Sequence, residues 1–291
     1  MKYSGHESFS IRKDWLAKGI RKFDSFKKDE LTSMDELGIG KNMVKSLRYW
    51  LKVTGISIDE PKKKEFYLSP LGEIIRDNDR YTEELGTLWL LHYSLAKNID
   101  NATCWYYFFN EFNLKEFTAE DFISSLSKWD EMNNQKPASI SSLTKDFDCL
   151  RRTYLPRLSD NESIKQEENG PESNMECPFT ELGLIKVVEK GLYRKVAPAK
   201  QNIPSMIILA VIIEQANGAQ EIKLSSLQND KNNIGKIFNL DSILLINLLS
   251  DLENKGYVQV VRTAGLDVLR LKTDMSFLDC VNRYYEELGN E

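Results

Sequence analysis

Residues 38–52, GIGKNMVKSLRYWLK, decide how the chain is read. Val44, Leu47 and Leu51 recur at helical spacing, which gives one apolar face. Lys41, Lys45, Arg48 and Lys52 form a basic stripe beside it. Upstream, DELTSMDEL reads as a shorter helix ending near Leu37, and Gly38 and Gly40 supply a tight turn. Downstream, ISI and EFYL flank a charged turn and read as a β-hairpin. Helix, tight turn, amphipathic helix and hairpin is the order of a winged helix-turn-helix module. The second helix of such a module enters the DNA major groove, and the wing touches the backbone.

Charge placement points the same way. The 291-residue chain has a formal net charge of -5, yet residues 1–64 hold 15 Lys/Arg against 9 Asp/Glu. A basic front on an acidic body marks a surface for a polyanion. The expected DNA contacts are Lys41, Asn42, Lys45, Ser46, Arg48 and Lys52 on the helix, with Lys62, Lys63 and Lys64 at the wing tip. The alternative is an ordinary solvated helix face.

The same order of elements recurs twice, without close sequence repetition. FTAEDFISSLSKW at 117–129 is a helix with Thr118 as N-cap and Asp121 three residues on. In the following helix, 139–156, Leu143, Phe147, Leu150 and Tyr154 share a face. The polar stretch SDNESIKQEENGPESNME reads as an insertion before a hairpin at 182–196. PSMIILAVIIEQ at 204–215 then opens a third unit, whose long helix near 238–254 is apolar and acidic. A helix of that character repels phosphate and suits a protein partner or self-association. Between the first two units, TLWLLHYSLAKN and ATCWYYFFNEF are aromatic helices expected to pack as core. The expected fold is mainly α with small β-hairpins. Two or three winged-helix-like units, 1–86, 87–203 and 204–291, join through an aromatic-rich helical core.

Several classes of chemistry are excluded. The four cysteines form no C-x-x-C, and two histidines cannot supply a multi-histidine metal site. GIGKN lacks the K-[ST] of a phosphate-binding loop. No secretory leader is visible, and MIILAVII is too short to cross a bilayer, so the expected compartment is the cytoplasm. One acid–base constellation stands out: His6 and Glu7 in GHESF, and Asp77 and Asp79 in RDND. Glu7, Asp77 and Asp79 would hold Mg²⁺ or Mn²⁺, and His6 would position or deprotonate water for phosphodiester cleavage. The alternatives are that His6 pins the N-terminal segment and that the aspartates end a helix.

Eight blocks carry a family resemblance: YSGHESFSIRKDWLAKG, ELGIGKNMVKSLRYW, YLSPLGEII, GTLWLLHYSLA, ATCWYYFFNEF, FTAEDF, SSLTKDFDCLRRTYLP and FTELGLIK. In order from residue 3 to about 186, they resemble the bacterial family of domain of unknown function 4007. The resemblance implies a component of DNA phosphorothioation, a defence chemistry that replaces a non-bridging phosphate oxygen with sulfur. It implies partner proteins, among them a sulfur-transfer enzyme and an ATPase. In the single-strand form of such systems the similar component is a DNA nickase. The expected function is therefore double-stranded DNA binding within such a system. The alternatives are a metal-dependent nickase and a DNA-independent scaffold or transcriptional regulator.

Overall fold

The computed structural model describes residues 1–60, 62–63, 65–156, 176–263 and 266–289. The first unit runs α1 (Lys13–Arg21), α2 (Glu30–Leu37), α3 (Lys41–Val53), β1 (Ser57–Glu60) and β2 (Glu65–Leu68). Asp29 caps α2 by accepting from the Thr32 amide. Gly38 closes α2 at φ +64°, a left-handed conformation that costs glycine little. Its amide bonds the Met34 carbonyl, which frees the chain to turn into α3. Leu47, Trp50 and Leu51 anchor α3 in the core. β1 and β2 pair antiparallel from Ser57↔Leu68 to Glu60↔Glu65, so the wing is the hairpin expected from sequence.

α4 (Pro70–Asn78) leads into two central helices, α5 (Leu85–Ala96) and α6 (Thr103–Asn110). The second unit follows as β3 (Glu116–Thr118), α7 (Ala119–Asn133), α8 (Ile140–Tyr154), β4 (Ile185–Glu189) and β5 (Leu192–Lys195). The third is α9 (Ser205–Ala216), β6 (Glu221–Lys223), α10 (Leu224–Asn229), α11 (Ile234–Ile237), α12 (Ser242–Asn254), β7 (Val258–Thr263) and β8 (Leu266–Leu271). α13 (Phe277–Leu288) ends the chain. The two three-stranded sheets have equivalent strand orders, β3-β5-β4 and β6-β8-β7. In each, the strand before the helices joins the hairpin after them, which is winged-helix topology. The fold is thus mainly helical with small antiparallel sheets.

Three features escape the sequence reading. β3 takes Phe117 and Thr118, which the reading gave to a helix; Thr118 then caps α7 through a reciprocal capping box with Asp121. α1 and α13 are the other two additions. The insertion at 159–176 lies, but for Glu176, outside the described residues.

The core is continuous through all three units. Trp89, Tyr93, Trp105 and Phe108 on α5 and α6 are fully buried at its centre. His92 on α5 ties two units: Nε2 donates to the Ile237 carbonyl at 2.8 Å, and Nδ1 accepts from Tyr154 at 2.8 Å. Burial lowers its pKa to about 4, so the ring is neutral at pH 7. All four cysteines are free and buried. Among the described residues no helix is long and apolar enough to cross a membrane.

Candidate nucleic-acid interface

α3 presents its basic stripe outward. Lys41, Asn42 and Lys45 are exposed at the start of the helix, and Lys52 is half-buried toward its end. The four cations are not equivalent. Lys41 pairs with Glu30 at 2.8 Å across the helix-turn-helix. Arg48 is taken up by the wing: it pairs with Asp59 at 3.1 Å and its guanidinium lies 4.1 Å above the Phe66 ring. Lys52 sits 4.0 Å from Asp59. Lys45 has no carboxylate partner among the described residues. At the wing, Lys62 is exposed and Lys63 pairs with Glu60 at 2.6 Å. Lys64 lies outside the described residues.

Ser46 requires a correction. It is fully buried, and its hydroxyl donates to the His6 carbonyl at 2.8 Å. It cannot offer DNA a hydrogen bond from there; it holds the N-terminal segment instead.

That segment, residues 2–9, is a clasp between α3, α6, α7 and α8. The Lys2 amide donates to Thr103 Oγ1, the Ser4 amide to Asp146 Oδ1, and the Tyr3 hydroxyl to Asp130. The Phe9 carbonyl accepts from Trp50 Nε1 of α3 and from Cys149 Sγ of α8. Arg152 of α8 reaches the Ser8 carbonyl at 3.2 Å. The backbone bends sharply to make these bonds: Ser4, Glu7 and Ser8 have φ of 55°, 50° and 67°. Gly5 is needed because a Cβ there would come within 2.5 Å of the Tyr49 ring.

His6 is the centre of the clasp. Its ring is fully buried, stacked on Trp50 and edge-on to Trp105. The Ser8 amide donates to Nδ1 at 3.1 Å, which fixes the proton on Nε2, and Nε2 donates to Asp146 Oδ1 at 2.9 Å. Its one lone pair is therefore occupied, and neither ring nitrogen meets solvent.

The other members of the acid–base constellation stand apart from it. Glu7 is exposed at the tip of the clasp. Asp77 is an exposed partner of Arg76 at 2.9 Å. Asp79 follows α4 and is buried; its two oxygens accept the Glu83 and Glu84 amides at 3.0 Å each. Burial and the Asp79 and Glu83 carboxylates push Glu84 up. Among the described residues no group of three or more His, Cys, Asp or Glu is placed to hold a metal ion. The expected site of Glu7, Asp77 and Asp79 is not assembled, because each aspartate is already committed locally and His6 is committed to Asp146.

Sequence reasoning missed Asp146 and Asp130. A signal existed: Asp146 lies between Leu143, Phe147 and Leu150 on the apolar stripe of α8. A carboxylate in that position must have donors brought to it.

The residues quoted from 3 onward match the family model described as "Protein of unknown function (DUF4007)" over residues 3–285. The chain belongs to the DUF4007 family. No curated protein matches it. Two solved structures share the fold: "Magnesium ion-bound SspB crystal structure" and "SspB crystal structure", at 24% and 23% identity. Each match has a TM-score of 0.82 and covers 100% of this chain and 89% of the other. For this DUF4007 protein, identity at that level speaks for architecture alone, including the fused arrangement of the three units.

Proposed function

We propose that this DUF4007 protein binds double-stranded DNA through its first unit, as a component of a bacterial DNA phosphorothioation system. The observation that carries the reading is the second helix of a helix-turn-helix whose outer face holds Lys41, Asn42 and Lys45, with the wing lysines Lys62 and Lys63 beside it. On the helix, Lys45 is the strongest contact because, unlike Lys41, Arg48 and Lys52, it has no carboxylate beside it among the described residues. Arg48 serves by fixing the wing against α3 rather than by reaching a base. The family resemblance supplies the phosphorothioation setting and its partner proteins. In the same reading α12 faces protein: Ile243 and Ile246 are exposed on it, and its charges are acidic.

The test is fluorescence anisotropy with a labelled duplex over a range of salt. Each phosphate contact contributes roughly 0.9 to the slope of log affinity against log salt. Lys41→Gln with Lys45→Gln is expected to weaken binding about tenfold at low salt and to flatten the slope by nearly two contacts. Unchanged affinity in a folded double variant would remove α3 from the interface.

A second reading, metal-dependent nicking, is favoured by one structural relative, SspB, whose crystal structure is magnesium ion-bound. His6, Glu7, Asp77 and Asp79 of this chain do not fit such an ion: they stand apart, and His6 and both aspartates already have partners. No cleavage step is assigned to them. Relaxation of supercoiled plasmid with Mg²⁺ tests the activity itself. If parent protein nicks and folded Asp77→Ala does not, that residue assignment returns.

A further inference from the structure

We propose that one duplex lies across α3 and α8 together, so the second winged unit is also DNA-facing and the clasp sets the spacing between them. The inference rests on the DNA-binding reading and extends it to a second helix. α8 holds the same topological place in its unit as α3 in the first: it is the helix before the hairpin. The two helices are joined through the clasp, and one residue of it, His6, bonds both. Ser46 of α3 bonds the His6 carbonyl, and Asp146 of α8 bonds the His6 ring. Lys45 and Lys145, the chain neighbours of those two residues, are both exposed. Each is thus the chain neighbour of a residue bonded to His6, one on either helix beside the clasp, and a duplex whose major groove is about 12 Å wide is the partner proposed to meet both.

The surface between them is continuous. On α3, Lys45 and Tyr49 are one turn apart, and the Lys2 ammonium lies 5.8 Å from the Tyr49 ring. Gly5 meets the same ring, next to the Lys2 side chain. Glu7 and Ser8 follow, both exposed. Arg152 then bonds the Ser8 carbonyl, and Lys145 lies two turns before it on the same face of α8. Four cations, Lys2, Lys45, Lys145 and Arg152, thus face two acids, Glu7 and Asp148, along this strip. Buried hydrogen bonds of the clasp hold the strip's backbone, so presenting both helices to DNA needs no ordering step. An isolated helix-turn-helix would leave α8 idle.

The experiment uses the full chain, a labelled duplex of about 25 base pairs and a salt titration, long enough to cover two adjacent grooves. Lys145→Gln is compared with Lys45→Gln. Lys145 makes no hydrogen bond or ion pair among the described residues, so the substitution leaves the clasp intact; circular dichroism confirms it. Each variant is expected to weaken binding about three- to tenfold and to reduce the salt slope by roughly 0.9. If Lys45→Gln weakens binding and Lys145→Gln changes neither affinity nor slope, the two-helix strip is wrong and the single-helix interface stands. If neither variant changes binding, the strip falls together with the DNA-binding reading on which it rests.

Discussion

His6 Nε2 donates to Asp146 Oδ1 at 2.9 Å, although 140 residues separate the two in the chain. The same carboxylate oxygen accepts the Ser4 amide at 2.8 Å. A single buried acid thus terminates two donors of the N-terminal clasp. Asp146→Ala is expected to strand both, at about 1–3 kcal/mol each. Asp146→Asn keeps an oxygen of the same shape and is expected to cost about half as much. Urea unfolding of the three proteins checks the order. A loss smaller than about 1 kcal/mol for Asp146→Ala would mean that the clasp does not stabilise the fold.

The sequence made most of the scaffold legible because its signals are local. Gly38 forces a left-handed turn, the Thr118–Asp121 pair announces the start of α7, and Leu143, Phe147, Leu150 and Tyr154 all lie on the buried face of α8. The sequence offers the pinning of the N-terminal segment by His6 as an alternative, but not the partners of the clasp, because they are distant and its backbone is irregular. Nothing in GHESF predicts left-handed Glu7 and Ser8, and a histidine beside a glutamate looks like chemistry until Asp146 is seen. Lys45 and Arg48 show the same limit. They are interchangeable on a helical stripe, and only the wing tells them apart.

His92 gives a pH dependence with a definite sign. Its folded pKa is lowered from 6.5 to about 4 by burial. Between those values the unfolded chain binds a proton that the folded chain does not. The His92 contribution is therefore complete above pH 6.5 and is lost as pH falls toward 4. Its size is on the order of 3 kcal/mol at the lower limit. His92→Gln keeps a donor for the Ile237 carbonyl without a titrating group. Unfolding free energies measured between pH 4 and 7 are expected to fall less steeply in His92→Gln, by up to one proton. Equal slopes in both proteins would show that His92 is protonated in the folded state.

Arg48 and Lys45 separate wing packing from DNA contact. Arg48→Gln removes the Asp59 ion pair and the cation over Phe66, together worth about 1–2 kcal/mol. Hydrogen exchange of the hairpin 57–68 is expected to accelerate. Lys45→Gln touches neither partner and is expected to leave exchange unchanged while weakening DNA binding. A variant of Arg48 that binds poorly with full wing protection would reassign it as a direct contact.

Removing residues 204–291 is expected to unfold the remainder rather than release a working front unit. α5 depends on the third unit along its length. The Gly86 amide donates to the Tyr284 hydroxyl at 3.0 Å, and Thr87 bonds Tyr285 at 2.6 Å. Lys97 pairs with Glu214 at 2.8 Å, and His92 donates to the Ile237 carbonyl. Trp89 packs on Phe238, and both are fully buried in the whole chain. Fully exposing one large apolar side chain costs about 1.5–3 kcal/mol, so a few such residues exceed the typical stability of a domain. Circular dichroism and thermal melting of the 1–203 fragment are expected to show no cooperative transition. A sharp melt, with wild-type DNA affinity, would show that the first two units fold without α9 and α13 and that the shared core is not obligatory.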